Sequence, residues 1–175
     1  MGNDRTHAII LAAGLGSRLG DITKEKPKCM VYVGKERIID RLINSLVNNG
    51  ISEITVVVGY LGLMLEEHIS KNYADIEVIF NDDYENTNNM YSMLLGLNTV
   101  SEGYTVISIN GDCIYGEKYF ASLTTDLSSR AICVKTTYDD ESMKALVRDG
   151  FIVSLSKEIQ SDKYPKICSD MYVYN

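Results

Sequence analysis

The chain has no Cys-x-x-Cys pair, no apolar run approaching the roughly 20 residues of a membrane span, and no excess of positive charge. Each absence removes a class of function. The four cysteines, Cys29, Cys113, Cys133 and Cys168, are scattered, and His7 and His68 are the only histidines. Zinc-ligand spacing is missing, so reduced, structural thiols are expected. The opening residues MGNDRTHAII lack the basic start, apolar core and small-residue cleavage site of a secretory signal, so a cytoplasmic protein away from membranes is expected. A formal net charge of −7 argues against general nucleic-acid binding, which needs a basic footprint. Any anion must be bound by a local arrangement. Pro27 and Pro165 are the only prolines, and no repeat, low-complexity tract or linker divides the 175 residues. With 45% apolar residues, a single domain over 1–175 is expected.

What is present is an alternation of apolar runs and helical patterns, the signature of strand-helix-strand units around a largely parallel sheet. Ala8 to Leu11 reads as the first buried strand, Ile54 to Val58 as the second, Ile76 to Phe80 as the third and Tyr104 to Ile109 as the fourth. Between them, Ile38, Ile39, Leu42, Ile43, Leu46 and Val47 share one helical face that stops at Asn49-Gly50, where glycine supplies a left-handed cap. Leu61 to Lys71 and Asn89 to Thr99 read as further helices, the latter capped by Thr87 or Asn88. Beyond the fourth strand the pattern changes to short strand-like runs, Ala131 to Thr137, Leu146 to Arg148 and Phe151 to Leu155. The last two are joined by Asp149-Gly150, a tight-hairpin signal. The final CSDMYVYN looks like another strand. The expected fold is α/β, a Rossmann-like three-layer sandwich with a mostly parallel mixed sheet and a β-hairpin insertion.

The chemistry is concentrated in LAAGLGSRLGDITKEKPKCM, Leu11 to Met30, a glycine-rich turn after the first strand. Gly14 and Gly16 lack Cβ atoms, so phosphates can approach the main-chain N–H groups, and a polyphosphate is the natural ligand. The P-loop pattern fails, because Gly34-Lys35 precedes Glu36 where serine or threonine is required. The dinucleotide fingerprint fails too: the third glycine is due at Leu19, Gly20 comes one residue late, and the second strand ends in Val58-Gly59-Tyr60 instead of an acidic residue. What fits is G-x-G-[ST]-R ending at Arg18, then Thr23, then Pro27-Lys28, with ten residues from arginine to lysine.

In these positions, over Ala8 to Val31, the chain resembles the nucleotidyltransferases that join a nucleoside triphosphate to a phosphorylated sugar or small alcohol. Sugar-phosphate members usually carry proline where this chain has Asp21. The acidic residue resembles the branch that includes choline-phosphate cytidylyltransferase, and NDDYENTNNMYSMLLGL, Asn81 to Leu97, is similar to that branch's pattern. The resemblance implies that Arg18 and Lys28 are catalytic charges, that Leu11, Ala12, Ala13, Gly14, Gly16 and Ser17 bind the nucleotide, and that Gly59, Tyr60, Asn88, Asn89 and Ser92 neighbour its base or ribose. It also implies that Asp112, in INGDCIYG, holds Mg²⁺, which takes oxygen ligands from one or two carboxylates plus phosphates. The simpler alternative for Asn88, Asn89 and Ser92 is that they cap a helix. No second metal ligand is identified; Asp170 aligns poorly with the position where the family places one. Either the domain is truncated at its C-terminus or acceptor binding is completed some other way, and the expected chain binds CTP but turns over poorly.

The implied reaction is attack by an acceptor phosphate or phosphonate on the α-phosphorus of CTP, releasing pyrophosphate. The second pKa of a phosphate monoester is about 6, so the nucleophile is already ionised at neutral pH and no general base is needed. Fixed positive charge and positioning are needed instead. Phosphocholine, phosphoglutamine and aminoethylphosphonate are candidate acceptors, small precursors of the kind used for capsule or surface polysaccharides. A catalytically silent nucleotide-binding domain and a sugar-1-phosphate nucleotidyltransferase stay open as alternatives. A molybdopterin-type nucleotidyltransferase is disfavoured, because its lysine follows the arginine more closely. The oligomeric state is not readable from the sequence.

Overall fold

A computed structural model of the chain describes residues 5–116, 120, 130–134, 143–149, 151–160 and 166–174, with 130–134 and 166–171 described through their backbone alone. Strand β1, Arg5–Ala12, is an interior strand of the sheet. Ala8, Ile9 and Ile10 are fully buried in succession, because layers cover both faces of a parallel strand and leave no polar side to alternate with. Strand β1 pairs in parallel with β4, Glu53–Val58, on one edge and with β6, Tyr104–Asn110, on the other; β4 pairs in parallel with β5, Ile76–Phe80. A small hairpin, β2 Tyr32–Val33 with β3 Glu36–Arg37, precedes the first crossover helix.

That helix, α1, spans Ile38–Asn48, and α2 spans Gly62–Asn72. Their apolar stripes, among them Ile39, Leu42, Ile43, Leu46, Leu65 and Ile69, pack with Ala8, Ile10, Val56 and Val58 on one face of the sheet. The other face carries Ile9, Val57 and Val106 beneath Met93 of α3, Asn89–Leu97. Gly96 lets α3 lie close, since a Cβ there would come within 2.6 Å of Ile9 Cγ2. Helix, sheet and helix form the three expected layers.

The parallel strands run in the order β5-β4-β1-β6, so successive connections lead outward from β1 in one direction and then jump to its other side. The crevice between the carboxyl ends of β1 and β6 is therefore a topological switch point, where open α/β sheets bind ligands. The glycine-rich turn leaves β1 and Asp112 follows β6 at this crevice.

The remaining strands are antiparallel: β7 Arg130–Val134, β8 Lys144–Arg148, β9 Phe151–Ser156 and β10 Lys166–Tyr174. Arg148 pairs with Phe151 across the β8–β9 hairpin, and Asp149 has φ 50°, as a tight hairpin turn requires; Gly150 lies outside the described residues. The expected strand Ala131 to Thr137 is described to Val134, and its end lies outside the described residues. Tyr172 pairs with both Ser108 and Ala131, whereas Ile167 pairs with both Val134 and Lys144. Strand β7 thus follows one edge of β10, while β6 and then β8 share the other in succession.

Several boundaries differ from the sequence expectations. Val47 lies within α1 but is half exposed, at the margin of the stripe formed by Ile38, Ile39, Leu42, Ile43 and Leu46. Leu61 precedes α2 in a left-handed conformation, φ 49°, and does not begin it. Asn88, not Thr87, caps α3 by accepting a hydrogen bond from the Met90 N–H at 3.0 Å. Helix α3 ends at Leu97, where the Thr99 hydroxyl turns back to the Gly96 carbonyl at 2.9 Å. Cys133 and Cys168 are register partners on β7 and β10, Cys29 is a buried thiol, and Cys113 lies beside Asp112.

Candidate active site

The glycine-rich turn is held open by its own backbone. Gly16 has φ 64°, and a Cβ there would meet Lys28 Cβ at 3.1 Å and Thr23 Cγ2 at 3.3 Å. Gly14 has nothing within 4 Å of the same position, so the space over it is available to a ligand. The two glycines thus have different reasons to be glycine. Gly14→Ala is expected to leave the melting temperature unchanged and to weaken nucleotide binding, whereas Gly16→Ala should destabilise the fold by about 1 kcal/mol or more through its strained backbone. Thermal melts with and without CTP distinguish the two effects.

After Gly16 the chain makes a 3₁₀ turn, Ser17–Thr23, kinked at Gly20 with φ 54° and ψ −124°. Buried Thr23 closes the turn by donating to the carbonyls of Gly16 at 3.0 Å and Gly20 at 3.3 Å. Ser17 and Arg18 are exposed at its start. Asp21 is exposed too and pairs with Lys24 at 2.6 Å. A second short turn, Lys28–Met30, anchors in the core through Cys29 and Met30. Burial pushes the Cys29 thiol up to about 12, which makes it an inert packing group beside Lys28.

The central contact spans 84 positions of sequence: Lys28 Nζ donates to Asp112 Oδ2 at 2.6 Å. Both side chains are about one-third exposed, 34% and 36%, and therefore open to the crevice. Gly111 makes the approach possible, because its N–H donates to the Leu11 carbonyl at 2.8 Å and a Cβ there would stand 3.1 Å from that oxygen. The other Asp112 oxygen, Oδ1, accepts from Cys113 Sγ at 3.6 Å. A single accessible carboxylate beside the glycine-rich turn suits Mg²⁺, which completes its shell with phosphate oxygens and water. Among the described residues no group of three or more histidine, cysteine or acidic side chains forms a metal cage, so phosphates would have to supply ligands. The Asp170 side chain lies outside the described residues; its backbone belongs to β10.

Gly59 and Tyr60 follow β4 and brace the turn. A Cβ on Gly59 would come within 2.7 Å of both the Ala13 carbonyl and Tyr84 Cβ, so close packing occupies the space expected to face a base. The Tyr60 N–H donates to the Ala13 carbonyl at 3.0 Å and its hydroxyl donates to the Lys24 carbonyl at 3.1 Å. Tyr60 thereby ties both ends of the glycine-rich turn to one point.

The asparagine cluster divides similarly. Ser92 is buried, its hydroxyl accepting from Asn81 Nδ2 at 3.1 Å; Asn81 also donates to Thr87 Oγ1 at 3.0 Å and accepts from the Asp83 N–H at 3.1 Å. Asn88 caps α3. Asn89 is exposed and donates to Asn110 Oδ1 at 3.2 Å, linking the start of α3 to the end of β6 beside Asp112. Ser92 and Asn88 hold the frame, and Asn89 stands at the crevice. Sequence reading missed Asn81 and Asn110 as framing groups. Their signal was present only as polar residues at strand ends, which turns share.

A nucleotidyl transferase family model matches residues 7–154, which include the turn, Lys28 and Asp112. A CTP:phosphoglutamine cytidylyltransferase of Campylobacter jejuni is 34% identical over 87% of this chain and 66% of its own length. A choline-phosphate cytidylyltransferase of Streptococcus pneumoniae is 37% identical over 59% of this chain and 44% of its own. A 2-aminoethylphosphonate cytidylyltransferase of Lancefieldella rimae is 36% identical over 59% and 42%. The chain thus spans between two-fifths and two-thirds of these relatives. The solved structure of the CTP:phosphocholine cytidylyltransferase from Streptococcus pneumoniae superposes with TM-score 0.73 and 28% identity, covering 98% of this chain and 71% of that one. The inositol-1-phosphate CTP transferase of T. maritima shares the fold, with TM-score 0.81 at 22% identity over 100% and 72%. Sheet order, glycine-rich turn and sequence match agree on one assignment: this chain belongs to the nucleotidyl transferase family.

Proposed function

We propose that the chain carries the nucleotide-binding half of a cytidylyltransferase that transfers CMP from CTP to a small phosphorylated or phosphonate acceptor, releasing pyrophosphate. The observation that carries this reading is the Lys28–Asp112 contact at 2.6 Å beside the glycine-rich turn. A cation and an accessible carboxylate side by side at the crevice support a site for a triphosphate with its metal ion.

The turn backbone and the open space over Gly14 admit the triphosphate, and Arg18 and Lys28 neutralise its oxygens. Asp112 would hold Mg²⁺, which when bound draws charge from the phosphates. The acceptor oxygen attacks the α-phosphorus in line while the bond to the pyrophosphate oxygen breaks. The residues contribute positioning and charge, since the acceptor is already ionised. Asn89, exposed beside Asn110, is the group best placed near the ribose or base, with Tyr60 bracing the turn. Preference for cytosine is supported by Asp21, by the Asn81 to Leu97 segment and by the three cytidylyltransferase relatives. Use of CTP fits a cytoplasmic setting.

Pyrophosphate release from CTP and Mg²⁺ is the test, with phosphocholine, phosphoglutamine and 2-aminoethylphosphonate as acceptors. One acceptor is expected to stimulate release well above the others. Release with UTP or dTTP and a sugar 1-phosphate, and none with CTP, would refute the reading. CTP binding with no release from any acceptor would favour a silent nucleotide-binding domain.

A further inference from the structure

Asn81, the first residue after β5, is only 2% exposed, and its carboxamide is engaged at both ends. Its N–H donates to the Val58 carbonyl at 2.7 Å, which fixes where the side chain begins. Its Oδ1 accepts from the Asp83 N–H at 3.1 Å, and a backbone N–H can only donate, so the oxygen must lie on that side. Nδ2 is thereby turned toward Thr87 Oγ1 at 3.0 Å and Ser92 Oγ at 3.1 Å. The Thr87 hydroxyl gives its proton to the Asp83 carbonyl at 2.7 Å, so toward Asn81 it accepts. An amide satisfies this set of partners, whereas a carboxylate would set acceptor against acceptor.

The two hydroxyls that Asn81 holds lie on either side of Asn89 in the chain. Thr87 precedes the start of α3, Asn89 is its first residue, and Ser92 lies about one turn along it. Asn89 is exposed and donates to Asn110 Oδ1 at 3.2 Å. Asn110 ends β6, stands opposite Leu11 where β1 enters the glycine-rich turn, and is followed by Gly111 and Asp112. Hydrogen bonds and adjacent residues thus run without a break from buried Asn81 to the crevice. The first turn of a short helix whose cap, Asn88, is itself exposed would fray without such a hold.

We propose that Asn81 is a positioning residue for the nucleoside end of the bound triphosphate: it never touches the nucleotide, but it holds Asn89 in the one place from which Asn89 does. The inference rests on the reading of the crevice as a nucleotide site with Asn89 beside the ribose or base. A side chain already in place binds without the entropy of ordering it, so losing Asn81 weakens the nucleoside contact and leaves the phosphate contacts as they are.

The test is calorimetric titration of CTP, and separately of inorganic tripolyphosphate, into the full chain with Mg²⁺. Tripolyphosphate has no ribose or base, so it reads the turn, Lys28 and Asp112 alone. Asn81→Ser is expected to weaken CTP binding by about fivefold or more, the size of one neutral hydrogen bond, and to leave tripolyphosphate within about twofold. Thr87→Val keeps Asn81 and alters a partly exposed position; it should show the same pattern at smaller size, and it decides the question should Asn81→Ser not fold. Asn89→Ala should lower CTP affinity similarly, and adding Asn81→Ser to it should bring no further loss, because the two act as one unit. Unchanged CTP affinity in Asn81→Ser and Thr87→Val would overturn the proposal and leave Asn81 a part of the frame. A parallel loss of tripolyphosphate affinity would overturn it too, as would losses that add in the double variant. Tighter wild-type binding of UTP or dTTP than of CTP is a separate result: it defeats the cytidylyl reading, and the same variants titrated with that nucleotide still decide the role of Asn81.

Discussion

Lys28→Ala is expected to lower CMP transfer by about 100- to 1,000-fold, the usual cost of removing one preorganised group aimed at developing charge. The Lys28 stem is held on more than one side: Gly16 lies against its Cβ, and Cys29 and Met30 beside it are buried. A lysine so held reaches phosphate oxygens without first paying the entropy of ordering its chain. The loss should appear in both kcat and kcat/KM, because the charge acts where phosphate charge develops. Stability should change little. The pair with Asp112 is about one-third exposed on both sides, and a half-solvated ion pair contributes about 1 kcal/mol or less. Steady-state kinetics combined with a thermal melt checks both statements. A variant with near-normal kcat would remove Lys28 from the transfer step, and one that melts far below wild type would make its role structural.

Asp112→Asn is the second large effect, with two opposed parts. Amide oxygen is a poor substitute for carboxylate toward Mg²⁺, so transfer should fall by about 100-fold or more and excess Mg²⁺ should recover part of it. In the absence of any divalent ion the same variant should bind CTP at least as well as wild type. It removes a negative charge from the crevice and frees Lys28 from its 2.6 Å partner. Equilibrium binding of CTP in chelator, followed by titration with Mg²⁺, separates the parts. Metal-free CTP binding that falls below wild type would mean that Asp112 orders the site and does not compete for Lys28.

Much of this arrangement could be read along the chain. Continuous burial of Ala8, Ile9 and Ile10 and the run Ile54 to Val58 mark strands covered on both faces, and their apolar runs cannot be confused with half-exposed strands. The stripe from Ile38 to Leu46 has the helical period, and the spacing from Arg18 to Lys28 is a local property of the turn. The less legible parts depend on contacts between distant positions. Val47 continues the apolar pattern of α1 yet lies half exposed, because it falls at the margin of the stripe and the pattern does not show where the sheet's cover ends. Gly59 looks like ligand-facing glycine in sequence, but its missing Cβ makes room for the Ala13 carbonyl and Tyr84. Ser92 reads as a possible ligand and is committed to Asn81. Lys144 gave no signal, since a Lys-Ala-Leu-Val run reads as an ordinary strand start, yet it is buried and donates to the Lys157 carbonyl.

The parallel strands bring the glycine-rich turn, Lys28 and Asp112 to one crevice, so that fixed positive charge stands where the proposed transfer needs it.

The central claim is tested most directly by calorimetric titration of nucleoside triphosphates into the wild-type chain with Mg²⁺, repeated with Lys28→Ala. CTP is expected to bind more tightly than UTP, dTTP, GTP or ATP, and the Lys28 variant should lose about tenfold or more in affinity for it, as the loss of one charge-assisted contact implies. Tighter binding of UTP or dTTP, or CTP affinity unchanged by loss of Lys28, would contradict the account.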